Sequence, residues 1–149
     1  MKEKLVFRKM TLEDLPQIMQ IEQDSFSIPW TQDAFYNELT NNMFAQYMAV
    51  ELAGEVIGYA GMWIIVDEAH ITNIAILSKY RGQGIGKLLM HEITKTARFL
   101  GAVKMTLEVR VNNIAAQNLY RQFGFEDAGI RPRYYSDNNE DALIMWADL

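Results

Sequence analysis

The chain has 149 residues, half of them apolar, 22% charged and none of them Cys; 14 Lys plus Arg against 19 Asp plus Glu leave a net charge of −5. That composition excludes an intrinsically disordered chain and suits one domain with a real core. The lack of Cys excludes disulfides, thiolate metal ligands and a Cys nucleophile, and the mild acidity argues against broad nucleic-acid binding while suiting a basic partner.

In chain order, Lys4 to Met10 predicts a first strand. Thr11 then caps a helix, with Asp14 completing an acidic variant of the capping box. Leu12, Leu15, Ile18, Met19 and Ile21 mark that helix's buried face. Pro29 biases Ile28 away from helix, so Ser27-Ile28-Pro29-Trp30 is a break before a second short helix, Thr31 to Asn41. Three strand-like runs follow: Ala45 to Leu52, Val56 to Val66 and His70 to Leu77, with hairpin turns at Ala53-Gly54 and Asp67-Glu68. Gly84 to Leu100 is the clearest helix, with Ile85, Leu88, Leu89, Ile93, Ala97 and Leu100 on its apolar face and Gly101 as its stop. Val103 to Val109 predicts a strand and Asn113 to Phe123 a helix; Phe125 to Ile130 and Ala142 to Trp146 predict the last strands. This order predicts an α/β domain, a mixed sheet with helices packed on it. No repeat, linker or low-complexity tract divides it, so residues 1–149 are read as one domain. Met1-Lys2-Glu3-Lys4-Leu5-Val6 has no apolar stretch of signal-peptide length. The longest apolar run, Val56 to Val66, is far short of the roughly 20 residues that span a bilayer. A soluble cytoplasmic protein with no membrane contact is expected.

The segment Leu77-Ser78-Lys79-Tyr80-Arg81-Gly82-Gln83-Gly84-Ile85-Gly86-Lys87 carries most of the chemical information. Glycines at alternate positions between a strand and a helix let the backbone turn sharply and approach a ligand. The amides opening the following helix can donate, and the helix dipole favours an anion there. Lys79, Arg81 and Lys87 make the loop basic within an acidic protein, which suits a phosphate or pyrophosphate. A Walker loop would need Gly at position 81 and Ser or Thr at position 88, where Arg81 and Leu88 stand. The dinucleotide fingerprint starting at Gly82 would need Gly at position 87, where Lys87 stands.

The spacing Arg81, Gly84, Gly86 resembles instead the acyl-coenzyme A loop of the GCN5-related N-acetyltransferase family. The likeness extends to Thr72-Asn73-Ile74-Ala75-Ile76 before the loop, and to Leu107-Glu108-Val109-Arg110-Val111-Asn112-Asn113 after it. It continues through Asn118-Leu119-Tyr120-Arg121-Gln122-Phe123-Gly124-Phe125 and Arg133-Tyr134-Tyr135, and so covers essentially the whole chain. The resemblance implies a splayed, mostly antiparallel sheet of six to seven strands with about four helices. It implies acetyl-CoA as cosubstrate, held by Arg81, Gly82, Gln83, Gly84, Ile85, Gly86 and Lys87, and no metal. It also implies that Ile74, Ala75 and Ile76 line the pantetheine arm, a main-chain amide there meeting the carbonyl oxygen. Within the family the chain most resembles the bacterial members that acetylate the N-terminal alanine of a small-subunit ribosomal protein, so a basic protein N-terminus is the expected acceptor. A monomer without direct nucleic-acid binding is expected.

Acyl transfer to an amine needs a base, because a free α-amine has a pKa of about 8 and is mostly protonated at neutral pH. Strand periodicity puts Lys104, Thr106, Glu108 and Arg110 on one face and Val103, Met105, Leu107 and Val109 on the other. On that basis alone Glu108 is either a surface carboxylate paired with Arg110 or Lys104, or a group near a cleft. The resemblance assigns it as the base, directly or through water. Tyr120 shares an apolar stripe with Ala116, Leu119 and Phe123, which suits a core tyrosine; the resemblance makes it the acid that protonates the departing thiolate. Asn113 reads as a helix cap, and by resemblance as a cofactor contact. Trp30 and the Tyr134-Tyr135 pair stand on predicted loops, where the family holds its protein acceptor; packing beneath a loop is the plain alternative. With no Cys to carry the acyl group, direct attack in a ternary complex is the expected route.

Other features carry little. Asp67-Glu68-Ala69-His70 spells a helicase-like box without a nucleotide loop. His70 and His91 have no metal-ligand spacing, and most Met fill a core, although Met43, Met48 and Met62 suit a substrate groove. Two alternatives stay open: the same fold acting on a small amine or other N-termini, and a non-catalytic acyl-CoA-binding module, which would need neither Glu108 nor Tyr120.

Overall fold

A computed structural model describes residues 4–149; the leader reading falls partly on Met1, Lys2 and Glu3, which lie outside the described residues. Among the described residues the strands are β1 (Leu5–Lys9), β2 (Ala45–Leu52), β3 (Glu55–Ile65), β4 (Glu68–Ile76), β5 (Lys104–Arg110), β6 (Glu126–Tyr135) and β7 (Glu140–Asp148). The helices are α1 (Leu15–Ser25), α2 (Gln32–Asn41), α3 (Ile85–Phe99) and α4 (Ile114–Gln122). The strands form one mixed sheet in the order β1-β2-β3-β4-β5-β7-β6. β1–β2, β2–β3, β5–β7 and β6–β7 pair antiparallel, and β4 pairs parallel to β5 over Glu68↔Lys104, Ala69↔Met105 and His70↔Thr106. A parallel step needs a long crossover, and α3 supplies it between these two strands.

The chain divides into two compact units, Met1–Trp63 with Thr72–Ile93 and Ile64–Ile71 with Thr94–Leu149. In the first, Leu15, Ile18 and Ile21 from α1 and Phe35 from α2 share a core with Tyr47, Ala49, Tyr59 and Ala75 of the sheet. Phe35 meets the rings of Tyr59 and Tyr47 nearly edge-on, at 5.6 and 6.2 Å between centroids, the geometry that ring quadrupoles favour. Thr11 opens a short 3-10 turn, Leu12–Asp14, and its N–H donates to Asp14 at 2.7 Å. Arg8 grips the same carboxylate with two hydrogen bonds of 2.7 and 2.8 Å, which hold it below the usual carboxylate range against the opposing pull of burial. Thr31 caps α2, accepting from Ala34 N–H at 3.1 Å.

The two-residue turn joining β2 to β3 has Ala53 at φ 53° and Gly54 at φ 79°, the double left-handed conformation that matches hairpin twist. Gly61 on β3 lies opposite Tyr47 on β2. A Cβ there would collide with three ring carbons of Tyr47, Cζ at 2.6 Å among them. The ring is locked in the core, so Gly61→Ala should destabilise the protein by roughly 2–3 kcal/mol, as overpacking does. The better strand propensity of Ala, at most about 1 kcal/mol, does not offset this. A urea midpoint equal to the parent's would contradict it.

In the second unit, Met105, Leu107 and Val109 of β5 and Leu143, Met145 and Ala147 of β7 are buried, and the rings of Tyr120 and Phe125 lie 5.9 Å apart. Several expected burials differ. Leu12, Leu88, Leu100 and Val103 are exposed, and Met90 is fully buried instead. Each exposed residue sits near an element end, where a periodic stripe continues past the surface it packs on. The second hairpin turns at Val66-Asp67, one residue earlier than expected, with Val66 at φ 57°. No helix among the described residues is long and apolar enough to cross a membrane.

Candidate active site

In the first unit, β4 runs into a 3-10 turn, Ser78–Tyr80, then the glycine loop and α3. Gly82 and Gly84 are left-handed, at φ 75° and 82°, and a Cβ on either would meet open space. The first carbonyl bond of the following helix joins Leu88 N–H to Gly84 C=O at 3.2 Å. The amides of Ile85, Gly86 and Lys87 therefore precede the helical ladder. The backbone thus presents donors at a helix N-terminus with open space beside Gly82 and Gly84, which fits a diphosphate. Arg81 takes another part than its charge suggested. Its Nε donates to Ile76 C=O at 2.8 Å and its Nη2 to the Ser25 hydroxyl at 2.9 Å, so the side chain fastens the loop to the end of α1. Lys79 lies over the ring of Tyr80, 5.1 Å from its centroid.

Ile74, Ala75 and Ile76 form the end of β4, past its last pair with β5. Gly58 on β3 permits their close approach: a Cβ there would stand 3.0 Å from Ala75 C=O and 2.5 Å from Ile76 Cδ1.

The second unit gathers the candidate catalytic groups. Glu108 is half-buried on β5, its carboxylate 3.3 Å from Arg131 Nε rather than against Arg110 or Lys104. Register explains the partner: Glu108 faces Ile144, which faces Gly129 on β6, and Arg131 follows two residues on. Tyr134 and Tyr135 are strand residues, not loop residues: β6 extends through them. Pro132 and the positive φ of Arg133 (52°) interrupt the register between Arg131 and Tyr135. Proline has no N–H for the ladder and is tolerated on such an edge strand. The two rings meet at 89° with centroids 5.0 Å apart. Burial, then the nearby negative charge of Glu108, raises the hydroxyl pKa of Tyr134; Tyr135 is pushed up to about 12 mainly by burial, with Arg110 opposing. Tyr120 is likewise pushed up to about 12 by burial and stays protonated throughout the neutral range. Its ring is buried beside Phe125. Asn113 caps α4, its Oδ1 accepting from Ala116 N–H at 3.2 Å.

Two residues carry more than their sequence context suggested. Arg110, of the Leu-Glu-Val-Arg stretch, binds Asp137 at 2.8 Å and Glu140 at 3.2 Å while its guanidinium lies 4.0 Å from the Tyr135 ring centroid. It therefore anchors the β6–β7 hairpin that bears the tyrosine pair. Glu22 is a fully buried carboxylate on α1. Its signal was present: position 22 is four residues beyond Ile18, on the buried stripe. Trp30 does stand between α1 and α2, but its ring packs on Phe35 at 5.3 Å against the first unit's core.

The pattern of the acetyltransferase (GNAT) family matches residues 15–125. The chain belongs to that family. This GNAT enzyme is an acetyl-CoA-dependent N-acetyltransferase. It is 48% identical over 149 residues to a Bacillus subtilis protein provisionally named a ribosomal protein bS18-alanine N-acetyltransferase, covering 100% of this chain and 99% of that one. It is 35% identical over 136 residues to the Escherichia coli K12 ribosomal protein bS18-alanine N-acetyltransferase, covering 89% of each. The crystal structure of the ribosomal-protein-S18-alanine N-acetyltransferase from Escherichia coli superposes with a TM-score of 0.90 at 31% identity, over 97% of this GNAT chain and 94% of the other.

Proposed function

We propose that this enzyme moves the acetyl group of acetyl-CoA to the N-terminal alanine amine of a small-subunit ribosomal protein, acting as a monomeric catalytic domain in the cytoplasm. In this reading the 81–87 amides hold the diphosphate, and Ile74, Ala75 and Ile76 flank the pantetheine arm. Glu108 takes a proton from the amine, directly or through water. The amine nitrogen bonds to the thioester carbonyl carbon, a β4 amide donates to the oxygen as charge builds there, and the carbon–sulfur bond breaks. Tyr120 gives its proton to the leaving thiolate. The absence of any Cys removes an acetyl-thioenzyme route and supports direct attack.

The observation that carries the reading is the placement of Glu108: an accessible carboxylate beside the Tyr134–Tyr135 pair, in the same unit as a protonated Tyr120. The tyrosines and Trp30's loop are the proposed acceptor contacts. Support for the alanine N-terminus comes from the names of the two relatives. The test offers acetyl-CoA with peptides differing in their first residues and reads mass gain. Ala-starting peptides should gain one acetyl group. Gain confined to small amines, or to other N-termini, would overturn the acceptor assignment, and no turnover with bound CoA would favour a non-catalytic module.

A further inference from the structure

The last turn of α1 reaches two separate segments of the first unit. Glu22 accepts at Oε1 from the Trp30 N–H, 2.9 Å away between α1 and α2, and at Oε2 from the Tyr59 hydroxyl of β3. Tyr59 in turn accepts from Asn73 Nδ2 of β4 at 2.9 Å. Two residues on, Asp24 accepts from the N–H and hydroxyl of Ser78 at 2.7 and 2.9 Å, and Ser25 accepts from Arg81. One helix end thus holds the proposed acceptor loop on one side and, on the other, Asn73 and Ser78, which flank the proposed pantetheine residues 74–76 without belonging to them, and the side chain of Arg81.

Glu22 is the joint between them. It is 1% exposed, and burial raises its pKa, so keeping a carboxylate there is costly. The geometry gives a reason for that residue type. Both of its neighbours donate, one an N–H and one an O–H, and a carboxylate offers an acceptor to each, where an amide offers one oxygen. Its two oxygens bind two different segments, so a shift of either is felt at the other.

We propose that Glu22 is a positioning residue that couples the acceptor loop, residues 26–31, to the Asn73–Ser78–Arg81 segment, so that acceptor and CoA strengthen each other's binding. This rests on the reading above, in which the loop meets the acceptor and the 81–87 turn meets CoA. Coupling of this kind is reciprocal and is typically about fivefold or more.

The experiment titrates CoA, which cannot react, into the whole protein by calorimetry, with and without a saturating Ala-starting peptide. In the parent, the peptide should tighten CoA binding about fivefold or more. Tyr59→Phe removes the hydroxyl that links Glu22 to β4, and Asn73→Ala breaks the same link one atom further while leaving Glu22 its two donors. Both should bring the ratio close to one, with CoA affinity in the absence of peptide changed by less than about twofold. Asn73→Ala keeps the test open should Tyr59→Phe not fold. A ratio unchanged in the folded variants overturns the coupling, as does a parent ratio of one. If the parent still acetylates the peptide in either case, the assigned activity survives; if it neither binds CoA nor acetylates, both fall together.

Discussion

Glu108→Gln should lower turnover by roughly 10²–10⁴-fold, the loss typical of a missing general base, while CoA affinity stays within about twofold. Gln keeps the size and most of the polarity but cannot accept the amine's proton. Stability cannot account for such a fall. The Glu108–Arg131 pair is surface-exposed on its Arg side, 56% by side chain, and exposed pairs contribute about 1 kcal/mol or less. The pH response separates the two causes as well. An α-amine with a pKa of about 8 deprotonates by itself as pH rises, so moving from pH 7 to 9 should recover part of the variant's rate. Turnover equal to the parent's at pH 7 would remove Glu108 from the chemistry.

Gly84→Val should weaken CoA binding by about 100-fold or more, corresponding to roughly 2.8 kcal/mol at 1.4 kcal/mol per decade. Two effects act together. The backbone stands at φ 82°, where an L side chain costs about 1–2 kcal/mol, and the new isopropyl group fills the open space in front of the loop amides. Gly101 separates strain from obstruction. It is also left-handed, at φ 95°, with nothing near its absent Cβ, but it ends α3 and lies outside the loop. Gly101→Val should therefore match the loss of thermal stability and leave the CoA isotherm unchanged. Equal weakening in both variants would attribute the effect to folding and take the loop out of cofactor binding.

The tyrosine pair shows why two expected site residues stand on another kind of element than their sequence suggests. Strands are recognised by alternation of apolar and polar residues, which exists only where one face is buried. Phe125 to Ile130 does read as a strand, but β6 is an edge strand exposed along almost its whole length, and its continuation through Arg131-Pro132-Arg133 carries no such period. Pairing with β7 carries the strand on through Tyr135, and pairing leaves no alternation where neither face is covered by a core.

Glu22 failed to register for a related reason. A Glu within a helical run reads as solvated, and its two donors come from 8 and 37 residues away. Arg81 was legible as a charge beside a phosphate-type loop, yet its guanidinium is committed to Ser25, 56 residues earlier.

Features set within a few residues could be read directly from the order of amino acids. The helix cap at Asn113, the hairpin at Ala53-Gly54, the stop at Gly101 and the left-handed loop at Gly82 and Gly84 all depend on local backbone sterics and nearby hydrogen bonds. The choice of partners belongs to the folded sheet. Glu108 meets Arg131 and not Arg110, Arg110 braces the tyrosine hairpin, and Glu22 is buried, because strand register and helix packing bring together groups far apart along the chain. No local rule states which of several equivalent charges will be the one that arrives.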